Sequence, residues 1–444
     1  MFKIKNYSLR SISAELVIAI CGWCFGVLYF WPGFMSNDSV YQLEMSRSGF
    51  YDNWHPPMMS VMWGILEFAL FNGPGPMLLM QMTLYWVTVY LLVCHYVSSS
   101  SRSHTLLIIG LWPPFFLHAG VIWKDVQMSL ALLFAFCLLV CIKKKSISLP
   151  CAAFFLLYAV MVRHNSFFAS IPIWFLWVSR VFTARTCYLW LIAILVGLFT
   201  FVFANLVLER ATGSVDRLPF QQILVHDLVA VSLASHENFL PLYLDPSKKL
   251  SSDDFAKIYT PCELVPLFCC DDLIVRLKTT TDIENVNSLK SSWIKAVLSN
   301  YKAYFFHRSS VFKELLGVGE GGCLPFYYGI VDNSLGIYLP ENSIRDIVHA
   351  LFWDIRNSVL FSSWPYILIL MVLLCFSRSL PSGLSILVLS GSLYFFPYYF
   401  IATTCDFRMT LWSAQVAWLV AFLVFDPIKT LLDLIMRLLN YKKS

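Results

Sequence analysis

Long apolar runs separated by short polar loops organise this chain. Runs of spanning length fall at about 12–31, 77–97, 105–122, 126–142, 147–162, 166–179, 187–208, 357–376, 381–401 and 409–425. They predict an all-α polytopic membrane protein with about ten transmembrane helices. Only Arg163-His164-Asn165 separates 147–162 from 166–179. The run 57–71 is about four turns long and reads as a helix lying in the interface. A polar stretch at about 209–356 interrupts the pattern. Within it, 221–235 and 287–316 keep helical apolar spacing, as at Trp293, Val297 and Leu298. Gly317-Val-Gly-Glu-Gly-Gly322 breaks that spacing and reads as a loop. These segments predict a mainly helical extra-membrane domain.

Composition agrees with the bilayer. Hydrophobic residues make up 58% and charged residues 13% of the 444 residues, and mean hydropathy is +0.67. That charged share is about half the usual one for soluble domains. A net charge of +5 is too small to imply a nucleic-acid partner, and 15 Trp, 21 Tyr and 37 Phe exclude disorder. The thirteen cysteines show no zinc-ligand spacing, and the Cys21/Cys24 pair lies inside an apolar run. The first run contains Glu15 and has no small-residue cleavage site before Trp31-Pro32, so it reads as an uncleaved first helix.

Lysine and arginine set the expected orientation. With the N-terminus inside, the inner segments hold fourteen cations: Lys3, Lys5, Arg10, Arg102, Lys143, Lys144, Lys145, Arg180, Arg185, Arg378, Lys429, Arg437, Lys442 and Lys443. The short outer loops hold four: Arg47, Lys124, Arg163 and Arg408. Both termini are therefore expected in the cytoplasm. Three regions follow: a transmembrane module over 1–208 with a first outside loop at 32–76, an extracytoplasmic domain over 209–356, and C-terminal helices with a cytoplasmic tail over 357–444. Cys262, Cys269, Cys270, Cys323 and Cys405 then face an oxidising compartment, and a disulfide from Cys323 to Cys262, Cys269 or Cys270 is expected.

The outer loops collect the candidate chemistry. Ser39 and Gln42 have capping-box spacing, which leaves Asp38 one position too early to cap. A carboxylate without that local task is a candidate general base or metal ligand, weighed evenly against a capping role. His55-Pro56-Pro57 places an imidazole beside a helix N-terminus, a favourable place for an anion. Taken alone, a single histidine there more often anchors the interface. Lys124-Asp125, Arg163-His164 and Asp406-Phe407-Arg408 occupy the following outer loops. Short loops need polar residues, and such neighbours can simply neutralise each other. Yet His55 when protonated, Lys124, Arg163 and Arg408 put a cation in four successive loops, and ionisable groups at this depth are costly. Trp54 and Trp123 offer faces for sugars, as well as ordinary interfacial anchoring.

Asp38, Trp54-His55-Pro56-Pro57, Trp123-Lys124-Asp125, Val162-Arg163-His164-Asn165 and Asp406-Phe407-Arg408 together resemble the polytopic glycosyltransferases of the GT-C fold. His226-Asp227 and the segment from Trp293 to His307-Arg308 resemble stretches of bacterial members. Size and layout are similar to the phage-type O-antigen glucosyltransferases that change serotype. The chain departs from the pattern at His55, often lysine, at Tyr301, often proline, and at Met409, often tyrosine. No Asp-x-Asp or Glu-x-Asp pair accompanies Asp38, so no cofactor is expected, and a divalent metal stays open without a pair to support it.

The resemblance implies transfer of a hexose, glucose by analogy, from undecaprenyl phosphate to O-antigen or another surface glycan at the periplasmic face of the bacterial inner membrane. Asp38 would be the catalytic base. His55, Lys124, Arg163 and Arg408 would hold the donor phosphate, and Trp54, Trp123 and His164 would contact sugar. The rival readings are a transporter or flippase of a lipid-linked sugar and a structural partner of a glycan assembly. The spans carry few charges, Glu15 being the clearest, and no internal repeat is present, so the ionisable cluster at one face favours surface chemistry.

Overall fold

The computed structural model describes residues 13–246, 249–268, 277–381 and 383–425. The expected cytoplasmic tails, with Lys3, Lys5, Arg10, Lys429, Arg437, Lys442 and Lys443, lie outside the described residues, as do Cys269 and Cys270.

Ser13 caps α1 (Ala14–Phe30) by accepting the Leu16 N–H at 3.3 Å. α2 (Asn37–Ser48) closes at Gly49, whose φ of +70° suits glycine. α3 (Met58–Ala69) starts behind Pro57 as the sequence predicts. α4 (Gly75–Tyr96) has proline in its first turn. The expected single span at 105–122 is instead two short helices, α5 (Arg102–Gly110) and α6 (Pro113–Ala119), because Pro113 holds Trp112 out of helical geometry, with ψ of 118°. α7 (Lys124–Cys141), α8 (Lys145–Val162), α9 (Ser166–Val181) and α10 (Thr186–Thr212) complete the first bundle.

In the polar stretch, α11 (Gln221–Ser235) occupies the range the spacing predicts. α12 (Ser252–Ile258) and α13 (Val265–Phe268) follow. The expected helix at 287–316 is broken at Asn300 into α14 (Ile283–Ser299) and α15 (Tyr301–Leu315), and Gly317 at φ +74° opens the expected loop. α16 (Ser343–Asp354) leads back to the bundle helices α17 (Trp364–Cys375), α18 (Leu384–Phe395), α19 (Tyr398–Ile401) and α20 (Leu411–Val424). Among the described residues the structure is all helical apart from isolated bridges.

Among the described residues, six segments are long and apolar enough to cross a membrane: α4, α7, α8, α10, Leu384–Ile401 and Phe407–Val424. α1, α3, α9 and α17 are shorter apolar helices, so six of the ten expected spans meet that length and composition among the described residues. α7 is 78% buried over its most apolar window and forms the bundle centre, whereas α10 is 17% buried and exposes its side chains where lipid would lie.

The polar stretch has two parts. Val225, Leu228, Phe255, Leu289, Ala296 and Tyr304 form a separate small core. Val311, Leu315, Phe326 and Phe361 instead join the main core with the bundle. The region expected to be one domain at 209–356 therefore has its own core only from about α11 to the start of α15, and its second half roofs the bundle. Ladder-like bonds hold the first loop between the end of α6 and that roof: Phe34 N–H to Gly120 O at 3.1 Å, Met35 N–H to Gly329 O at 2.9 Å and Val331 N–H to Met35 O at 3.0 Å. The disulfide joins Cys323 to Cys405, not to Cys262, which is free. Cys262 meets the same loop through its carbonyl, which accepts the Cys405 N–H at 2.9 Å. The expected pairing missed a partner 82 residues away that only the fold brings close.

Candidate functional site

The N-cap of α2 is Ser36, whose N–H donates to Ser39 Oγ at 3.2 Å, so the cap sits three residues before the Ser39 capping box read from the sequence. Asp38 is thereby inside the first turn, where its charge suits the helix dipole. Its side chain caps nothing. One carboxylate oxygen accepts from Arg408 Nη1 at 2.8 Å, and the other lies 3.6 Å from His55 Nε2.

His55 continues the chain of contacts. Lys124 Nζ donates to His55 Nδ1 at 2.7 Å. An ammonium has no lone pair to accept with, so Nδ1 must accept and the ring hydrogen sits on Nε2, facing Asp38. Burial, then the Lys124 charge, lowers the His55 pKa to about 3 despite the opposing pull of Asp38. His55 is consequently a neutral link at ordinary pH and not the phosphate-binding cation the sequence suggested. Burial raises the Asp38 pKa, but Arg408, His55 and Lys124 outweigh it and hold the carboxyl well below the usual carboxylate range.

Two cavities meet at Trp54. The first, about 500 Å³, is lined by Asn37, Asp38, Tyr41, Asp52, Trp54, His55, Arg217 and Thr279. The second, about 260 Å³, includes Trp54, Lys124, Arg163, His164, Asn165, Tyr398 and Met409. The structure thus separates Asp38 from Lys124 and Arg163, with Trp54 on both walls and the His55 side chain between.

The other predicted residues take more specific positions. Arg163 pairs with the buried Asp125 at 2.5 Å and donates to the Tyr398 hydroxyl at 2.9 Å, so much of its charge is already compensated. Among the described residues no carboxylate pairs with Lys124, which leaves its charge the more available. Arg408 lines neither cavity. It bridges Asp38 and Asp406 and lies 4.5 Å over the Trp123 ring. Trp123 is 2% exposed and its indole N–H donates to Ser36 Oγ at 2.7 Å. It supports Arg408 and has no face open to a sugar. His164 borders the second cavity beside Asn205, 3.1 Å from its Nε2.

Sequence reasoning passed over Asp52, Tyr41 and Arg217. Asp52 is 1% exposed, accepts from Tyr41 Oη and from Arg217 Nε at 3.1 Å, and caps Trp54 N–H at 3.1 Å. The Asp52-Asn53 start of an Asx turn before Trp54 was the available signal. A buried cluster brings together the two outer segments singled out above. Asp227 accepts from Arg308 Nη2 and from the Trp293 indole N–H, each at 2.8 Å, lies 3.0 Å from His307 Nε2, and Arg308 donates to Ala402 O at 2.9 Å. It ties the small core to the loop that carries Arg408.

No family model, curated protein or solved structure matches the chain.

Proposed function

We propose that the chain is a membrane glycosyltransferase of GT-C type that moves a hexose from a polyprenyl phosphate to a glycan hydroxyl. The observation that carries this reading is the two-sided site: a carboxylate in one cavity, an available lysine in the next, and Trp54 and His55 between them. The acceptor hydroxyl lies in the first cavity. Its oxygen attacks the anomeric carbon while its proton passes to Asp38. The bond from that carbon to the phosphate oxygen breaks, and the electron pair leaves on the phosphate. Lys124, with Arg163 behind it, stabilises that charge in the second cavity. The leaving phosphate needs no strong acid. Trp54 offers its ring to the sugar in transit. Arg408 holds Asp38 ionised and oriented, and His55 relays the position of Lys124 to Asp38. Arg408, His55 and Lys124 surround the carboxylate with positive charge and hydrogen-bond donors, a setting that opposes a divalent metal, so the step is written without one.

The Cys323–Cys405 disulfide supports an oxidising compartment on the site face, as does the scarcity of cations in the short loops there. The site is accordingly assigned to the periplasmic face of a bacterial inner membrane, with both termini cytoplasmic. Undecaprenyl-phosphate glucose and O-antigen are the donor and acceptor that the family resemblance suggests. The test is transfer by the purified protein in lipid nanodiscs, using labelled polyprenyl-phosphate hexose. Acceptor-dependent donor consumption is expected. Translocation of an intact donor, without consumption, would support the flippase instead.

A further inference from the structure

α16 carries an apolar stripe that the protein leaves uncovered. Ile344, Ile347 and Leu351 are 75%, 66% and 64% exposed. At 3.6 residues per turn they fall within about 60° of one another on the helix. The neighbouring face is occupied: Val348 and Phe352 pack on the main core, and Arg345 is buried. So α16 is not a loose amphipathic segment. It is a docked helix with one apolar side still open.

Its position identifies what covers that side. Arg345 Nη1 donates to the carbonyl of Trp31, the residue that ends α1, at 2.9 Å. The Phe352 ring lies 6.3 Å from Tyr29, inside the last turn of α1. The open stripe therefore sits at the depth where an apolar helix leaves the bundle. At that depth α1 exposes Leu28 at 69% and Trp31 at 39%, and nearby α3 exposes Phe68 at 95% and Leu70 at 57%. The surface of α16 continues a belt of apolar side chains around the rim of the membrane bundle.

We infer that α16 lies in the headgroup layer of the bilayer, with Ile344, Ile347 and Leu351 immersed at the acyl boundary. A docked helix of this kind gains by burying its apolar face in the interface. It also sets the height of the 326–331 segment behind it. That segment bonds to Met35 on both sides, so α16 helps fix Asp38 at a constant level above the membrane. This inference needs the bilayer and stands independently of the transferase reading.

The test places a benzophenone amino acid at Ile347 or Leu351 in the full chain, reconstituted in nanodiscs of phosphatidylethanolamine and phosphatidylglycerol. Val202 on α10, 55% exposed, serves as the membrane control, and Leu298 on α14, 74% exposed, as the control outside it. Irradiation is expected to give phospholipid adducts at positions 347, 351 and 202 but not at 298. An adduct with a second chain at 347, or none there while position 202 labels, overturns the assignment.

Discussion

Lys124 Nζ donates to His55 Nδ1 across 2.7 Å, which makes His55 the link between the cation of one cavity and the carboxylate of the other. The imidazole stays neutral because burial disfavours the charged ring and protonating Nδ1 would also set it against the Lys124 cation. This has a consequence in the pH profile. The folded His55 pKa is about 3 against an ordinary 6.5, and Asp38 is also held low. For both groups the unfolded chain takes up protons first, so their contribution to stability is present at neutral pH. That of His55 is lost as pH falls from 6.5 towards 3, and that of Asp38 below the ordinary carboxylate value. The acid limb of kcat/KM is expected well below 6.5. A limb centred near 6.5 and abolished in His55→Gln would show that His55 charges at its ordinary value.

Asp38→Asn should remove transfer by about a hundredfold or more, since positioned bases contribute about 10²–10⁴. Protein levels should hold, because an amide oxygen still accepts from Arg408. Asparagine also suits the first turn of a helix, so wild-type turnover in purified Asp38→Asn would reduce Asp38 to a structural residue.

Lys124 and Arg163 should separate. Lys124→Ala removes a charge-assisted bond to the donor, a loss of roughly 1.5–3 kcal/mol or about tenfold to hundredfold in transfer. Arg163→Ala strands the buried Asp125, a loss of about 3–5 kcal/mol in stability. The thermal midpoint should fall sharply in Arg163→Ala and recover in part in Arg163→Ala/Asp125→Ala. Equal midpoints for both single variants would contradict the division of roles.

Non-reducing peptide mapping should recover Cys323 linked to Cys405, with Cys262 as a free thiol. A Cys323–Cys262 peptide would reverse that assignment and with it the tether on the Arg408 loop.

The sequence carried the local physics well and the long-range pairing poorly. Apolar spacing located α11 and the start of α3, because a helix writes its period into neighbouring positions. It merged α5 with α6, since Pro113 and Pro114 are a short interruption in a long apolar run. Asp38, Lys124 and Arg163 were visible as ionisable groups at costly depth. That Arg408 reaches Asp38 across 370 positions was not, and neither was the burial of Trp123, because partners that far apart leave no periodic trace. Arg408 read as a free cation, whereas the fold commits it to two carboxylates.

The most direct measurement separates donor binding from transfer in the same purified variants. Polyprenyl-phosphate hexose binding and hexose transfer are followed in wild type, Asp38→Asn and Lys124→Ala. Wild type should bind and transfer, Asp38→Asn should bind the donor normally without transferring it, and Lys124→Ala should bind about tenfold to hundredfold more weakly. Full transfer by Asp38→Asn, or donor affinity unchanged in Lys124→Ala, would contradict a site with its base in one cavity and its phosphate in the other.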